Sequence, residues 1–192
     1  MIEHTASPRL RADLPDRLLA VRAAEGDDDS FALLVQRHSR PLLALAWCIM
    51  GNPQDAEEAV QDAFVSAWRR LPEYRHGAEF RTWMYRITVN RCLTMRRRRR
   101  PPPLPLDIVA EPATGDAWSQ PARTAEQDAA TAALSRALAE LDAGQRVCWV
   151  LRELHGLPYK EIAQVTHTNE QTVRGRLFRA RRSLQEAMGP WR

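Results

Sequence analysis

Two groups of side chains in this 192-residue chain have the types and spacing to grip a polyanion. The first is Tyr74, Arg75, His76, Phe80, Arg81, Arg86 and Asn90, a mixture of rings, guanidiniums and an amide. Rings stack on unpaired bases, guanidiniums hold phosphates, and an amide offers both a donor and an acceptor to a base edge. The second is Gln171, Arg174, Gly175, Phe178, Arg179 and Arg182, which fall on one arc of a helix. Residues 171–182 carry five arginines and no acid, where a merely solvated surface would mix signs. Phe178 on that arc suits apolar contact with a thymine methyl or a sugar. A third group, Asp55, Glu58 and Asp62, lies near one face of a helix and is acidic. No histidine joins it at ligand spacing, so it reads as a docking face for a protein and not as a metal site. No nucleophile–base pair and no phosphate-cradling glycine loop occurs, so no catalytic residue, metal or cofactor is expected.

Composition narrows the class further. The chain is 44% hydrophobic and 27% charged, enough apolar material for small packed cores. Its net charge is +4 and its isoelectric point about 9.4, a balance compatible with nucleic acid. The three cysteines, Cys48, Cys92 and Cys148, lack any C-x-x-C spacing, and read as buried free thiols in a reducing compartment. No apolar run reaches the ~18 residues of a membrane span, and the N-terminus has no apolar signal core. The expectation is a cytoplasmic protein with no membrane insertion.

The elements that must position these groups are helices. Strand signals are nearly absent, and helical periodicity fills two blocks, 13–100 and 129–192, after an N-terminal tail, 1–12. Between the blocks, residues 101–128 ("PPPLPLDIVAEPATGDAWSQPARTAEQD") have the composition of an extended linker. In the first block, Pro41 should break or kink a helix that ends at Gly51. Asn52 and Pro53 then start a helix with Ala56, Val60, Ala63, Phe64 and Trp68 as its buried stripe. Phe80, Trp83, Met84 and Ile87 mark the core face of a third helix, whose last turn is the arginine run ending at Pro101. In the second block a short helix from Tyr159, a tight turn and a longer helix from Asn169 form a helix-turn-helix. Val173, Leu177, Ala180 and Leu184 would face the core there with Ile162 and Ala163, and Thr168 with Gln171 has capping-box spacing. Such a motif lays its second helix in the major groove of DNA.

Three stretches in order, "DAEEAVQDAFVSAWRRL", "FRTWMYRITVNR" and "LPYKEIAQVTHTNEQTVRGRLFRARRSL", resemble the extracytoplasmic-function sigma factors of the bacterial sigma-70 family. The resemblance implies an all-α fold of two small helical domains, sigma domain 2 and sigma domain 4, joined by the proline-rich linker. It implies core RNA polymerase and promoter DNA as partners, with nucleotide chemistry left to the core enzyme. Tyr74 and Asn90 resemble the residues that hold a flipped −10 base. Asp55, Glu58, Gln61 and Asp62 resemble the helix that docks on the β′ clamp coiled coil. Arg174, Gly175, Phe178 and Arg179 match the −35 reading positions of a domain that also contacts the β flap. An anti-sigma factor is a further partner the family allows. Gly175 stands where serine or alanine is common, and His167 where glycine is. Two other readings of the residues stay open: a free-standing helix-turn-helix regulator, dimeric on a palindrome, and a metal-dependent nuclease built on the acidic helix.

Overall fold

The computed structural model describes residues 13–74, 79–99 and 125–189. Among these there are eight α-helices and no strand. Arg75, His76, the N-terminal tail and most of the expected linker lie outside the described residues.

The first set of helices is α1 (Asp16–Ala24), α2 (Asp28–Met50), α3 (Pro53–Arg70) and α4 (Phe80–Arg99). Asp27 starts α2 by accepting the Ser30 amide, and Gly51 ends it in the left-handed region at φ 73°. Pro41 does not stop this helix. It removes one backbone bond, but Leu34, Leu42, Leu45 and Ile49 are fully buried along the same helix, and that packing outweighs the lost bond. Asn52 caps α3 through the Asp55 amide at 3.1 Å. The expected stripe of α3 is buried except for Trp68, which is 37% exposed and rests edge-on against Phe31. That ring sits at the rim because the interior positions of the helix are filled by alanines 56, 59, 63 and 67.

α4 is buried almost all round. Trp83, Met84 and Ile87 face the first core as expected, but Thr82, Tyr85, Thr88 and Cys92 on its other sides are buried too. A helix buried on more than one side belongs inside a larger assembly, and α4 packs on α2 and α3 on one side and on α7 on another.

The second set is α5 (Ala125–Glu140), α6 (Ala143–Trp149), which runs on through a wider π-helical turn at Val150–Leu154, α7 (Tyr159–Thr166) and α8 (Glu170–Ala187). α5 begins inside the segment read from sequence as linker. His167 closes α7 in the left-handed conformation, φ 51°, and this makes the tight turn of the helix-turn-helix. The N-cap of α8 is Asn169, which accepts the Thr172 amide at 2.8 Å, and not Thr168, whose hydroxyl pairs with that of Thr166. Asn169 stands one residue closer to the free amides, and its longer side chain reaches them. Val173, Leu177, Ala180 and Leu184 are buried, as their spacing requires.

The two sets share one continuous apolar core. Polar contacts pin it. Thr82 donates to the Glu161 carboxylate at 2.5 Å, Tyr85 and His155 share a hydrogen bond at 3.0 Å, and Asn90 Nδ2 lies 3.4 Å from His167 Nε2. Arg146 of α6 is 4% exposed and reaches the carbonyl of Ile49, at the end of α2, at 3.1 Å. It also donates to the carbonyls of Leu141 and Ala139. Burial among carbonyls pushes this guanidinium down to about 10, with Arg96 adding repulsion, so it stays charged at neutral pH. Cys92 and Cys148 are buried as expected and Cys48 is half-buried; burial raises all three thiols, Cys92 to about 12, which favours their protonated form.

Replacing Arg146 with alanine strips three carbonyls of a charged donor, and should cost about 2–3 kcal/mol in urea unfolding. Wild-type stability would show that the guanidinium is not a structural pin. His155 gives a pH signature. Burial holds its imidazole below the ordinary value of 6.5, Arg81 adds repulsion, and Nε2 is buried with no hydrogen-bond partner among the described residues. The packed state therefore prefers neutral His155. Its contribution is complete above pH 6.5 and is lost as pH falls below that value. Urea titrations from pH 7.5 to 5 should lose more stability in the wild type than in His155→Asn; parallel curves would remove this histidine from the linkage.

Candidate nucleic-acid interface

α8 carries the clearest interface. Its buried side faces α6 and α7, so its opposite arc is offered to solvent by construction. Gln171, Arg174, Arg179 and Arg182 are exposed there, and Phe178 is 68% exposed, the most open large apolar side chain among the described residues. A neighbouring helix therefore does not cover the phenyl ring. Gly175 is half-buried, and a Cβ there would meet only the Arg179 guanidinium, its Nη1 at an ordinary 3.5 Å, so nothing in the packing demands glycine. Arg182 is drawn toward Glu186 by a bond of 3.0 Å, one turn along. The arc is otherwise strongly positive and shaped as a single ridge, which a duplex major groove can admit. Arg176 points away from this arc. It lies over the start of α6, where a Cβ on Gly144 would meet its Cζ at 2.9 Å, so a side chain there would displace the end of the arginine.

The first-set group is divided by the fold. Asn90 is exposed on α4 and Arg81 and Arg86 are half-buried on the same helix. Phe80 is only 2% exposed, with ring centroids 5.3 Å from His38, 5.7 Å from Trp83 and 5.9 Å from Tyr74. It is a core residue and cannot offer a face to a base. Its place at the i, i+3, i+4 start of the apolar stripe of α4 is what buries it. Tyr74 is half-buried, its ring 4.9 Å from Trp83, so the loop aromatic is partly a lid on the core. Burial raises its phenol above the ordinary value. Arg75 and His76 follow it directly in sequence, outside the described residues.

The acidic group is also divided. Glu58 and Gln61 are exposed on α3, and Asp62 is half-buried. Arg91 of α4 pairs with Asp62 and approaches Glu58 at 3.9 Å. Asp55 turns toward a cleft of about 840 Å³ between the helix sets, which Arg96, Arg97, Asp142 and Arg176 also line. Among the described residues no group of three His, Cys, Asp or Glu is arranged to hold a metal ion, and no helix is long and apolar enough to cross a membrane.

Reading the sequence missed the partners of these residues. Arg91 on the acids, His167 on Asn90 and Tyr159 beside Arg174 are all contacts between segments. Only Tyr159 left a local sign, an aromatic residue at the start of a helix followed by an arginine-rich one.

Comparison with known proteins bears on the whole arrangement. Residues 34–101 match the family model "Sigma-70 region 2" and residues 131–184 match "Sigma-70, region 4". RNA polymerase sigma-H factor of Pseudomonas aeruginosa is 34% identical over 184 residues, covering 91% of this chain and 94% of that protein. ECF RNA polymerase sigma-E factor of Escherichia coli K12 is 33% identical, covering 92% and 96%. Among solved structures, CnrH in complex with the cytosolic domain of CnrY superposes with a TM-score of 0.70 at 29% identity, covering 91% of this chain and 97% of that one. The sigma factor RpoE from Bartonella quintana, in complex with the anti-sigma factor NepR, shares the fold at a TM-score of 0.64 and 22% identity, covering 83% of this chain and 96% of that one. A free-standing regulator would need only the second helix set, whereas both regions are matched here in order. With its two all-α regions, its basic recognition helix and relatives along nearly its full length, this chain belongs to the extracytoplasmic-function sigma factors of the sigma-70 family.

Proposed function

We propose that this chain acts in the cytoplasm as an alternative specificity subunit, directing core RNA polymerase to its promoters and assisting the opening of the −10 element. The observation that carries this is the outward arc of α8, where Arg174, Arg179 and Arg182 surround an exposed Phe178 and residues 171–182 hold no acid. In this reading Gln171, Arg174, Gly175, Phe178, Arg179 and Arg182 meet the −35 duplex in its major groove. Asn90, Arg81 and Arg86, with Tyr74 at the loop edge, meet the −10 strand once it is open. Glu58, Gln61, Asp62 and Asp55 meet the β′ clamp coiled coil, with Arg91 neutralising part of that face until the polymerase competes for it. The second helix set contacts the β flap. The chain has no nucleotide chemistry of its own to perform; that belongs to the core enzyme.

The packed arrangement sets a physical condition on this function. Asn90 and His167 lie 3.4 Å apart, while two promoter elements separated by two turns of duplex are about 70 Å apart. Both readers therefore cannot be seated while the helix sets stay together. Residues 101–124, if extended, span up to about 80 Å, enough to let the second set detach and reach its own element. CnrH was solved with a second protein's cytosolic domain, and we propose that an anti-sigma factor similarly holds this chain in its packed form.

Reconstitution with core polymerase, followed by sequencing of transcript 5′ ends from genomic DNA, tests the function. Starts preceded by a shared pair of promoter elements are expected. Background initiation only, together with dimeric binding of the isolated chain to a palindrome, would favour the free-standing regulator.

Asn90→Ala separates the two parts of the reading. It removes a base-edge donor and acceptor, so permanganate reactivity of the −10 region should fall while affinity for core polymerase holds. A promoter carrying an already unpaired base should regain part of the opening, since the few kcal/mol of unpairing is then absent. Normal melting by this variant would make Asn90 an interface residue only.

A further inference from the structure

Tyr159 opens α7 at the point where the π-helical turn after α6, α7 itself and α8 converge. Its ring is half-buried. Two guanidiniums lie over it, with Arg152 Cζ 5.1 Å and Arg174 Cζ 5.9 Å from the ring centroid. Arg152 is itself fixed, because Nη1 donates to the Leu157 carbonyl at 2.9 Å. Beside them Arg181 is tied to the Glu153 carboxylate through Nη2 at 2.7 Å and Nε at 3.1 Å. That bond holds Arg181 above its ordinary value, and Tyr159 adds to the effect. A single aromatic side chain on the first helix of the helix-turn-helix thus touches the environment of two arginines on the second.

Arg174 is exposed and lies on the outward arc of α8. A long side chain in that position samples many rotamers and loses that freedom when it engages a base edge. Attraction between a guanidinium and the negative face of a ring narrows the sampling before DNA arrives. Pre-ordering of this kind raises affinity by lowering the cost of binding, without any new contact to the ligand. For a bidentate contact to guanine it also preserves the planar approach on which base discrimination depends.

We propose that Tyr159 is a positioning residue for −35 recognition, its ring holding the Arg174 guanidinium in the attitude that reads a base edge while Arg152, anchored on Leu157, steadies the ring. This rests on the reading of Arg174 as a promoter contact. Tyr159 touches no DNA in this account; it acts through Arg174.

The test uses the full chain bound to core polymerase and a labelled promoter duplex, with Tyr159 replaced by phenylalanine and then by mono-, di- and trifluorinated phenylalanines. The ring keeps its shape along this series while its face loses negative charge. Affinity should fall stepwise, by about two- to fivefold at the trifluorinated ring. Discrimination at one −35 base pair should relax in parallel, and thermal midpoints should stay level. In an Arg174→Ala background the same series should be flat. If Arg174→Ala weakens binding but the fluorinated series is flat in the wild-type background, Tyr159 is structural only and the proposal is overturned. If Arg174→Ala binds its promoter normally, the reading beneath the proposal fails, and the proposal with it.

Discussion

One carbonyl group organises the packed molecule. Ile49 lies in the last turn of a 23-residue helix, where backbone acceptors lack intrahelical partners and the helix dipole is negative. It receives Arg96 from α4 at 3.2 Å and Arg146 from α6 at 3.1 Å. The first contact ties the arginine-rich end of α4 to its own helix set, and the second ties the other set to the same spot. Two guanidiniums on one neutral acceptor repel each other, and the Asp142 carboxylate offsets this for Arg146 only in part. The joint thus leaves Arg146 Nε buried without a hydrogen-bond partner among the described residues, and its charge is only partly compensated. A buried guanidinium of this kind favours any rearrangement that returns it to water.

α4 gives that joint its functional meaning. It is the central helix of the first set, the seat on which α7 rests, and the carrier of Asn90, Arg86 and Arg81. Its Arg91 also reaches back to Asp62 and Glu58 on α3. One rod therefore carries the proposed −10 contacts, the arginine that pairs with the proposed polymerase face on α3, and the seat of the second helix set. Packing the chain on itself and engaging it with polymerase and promoter become competing uses of the same surfaces. In the packed form the His167 ring stands over Asn90, while the outward arc of α8 remains open. Packing thus touches the −10 reader at Asn90, which stays exposed, and leaves the −35 reader untouched.

Much of this was legible in the sequence, because it depends on local period and capping. Asn52, Gly51 and the buried stripes of α3, α4 and α8 follow from spacing alone. So does the outward arc of α8, since Val173, Leu177, Ala180 and Leu184 leave only one side free. Local rules failed where tertiary packing competes with them. Pro41 stays inside α2 because four buried leucine and isoleucine side chains, Leu34 before it and Leu42, Leu45 and Ile49 after it, hold the helix together. Phe80 had two claims on it, as the first residue of an apolar stripe and as a ring beside arginines, and burial won because its neighbours His38, Tyr74 and Trp83 close around it. The contacts between the sets join residues 70 or more apart in sequence, as with Tyr85 and His155. No periodicity encodes such a pairing. The extra apolar and small polar residues around α4, Thr82, Tyr85, Thr88 and Cys92, were its only trace.

The central claim is that two readers packed into one body must part to work. Spin labels on Glu57 of α3 and Gln185 of α8, both exposed and outside the interface, would report it by pulsed dipolar spectroscopy. The account predicts a single short distance in the free chain that lengthens by tens of ångströms, on the order of the two-turn promoter spacing, in the complex with core polymerase and promoter DNA. An unchanged distance in a complex active in transcription would contradict it.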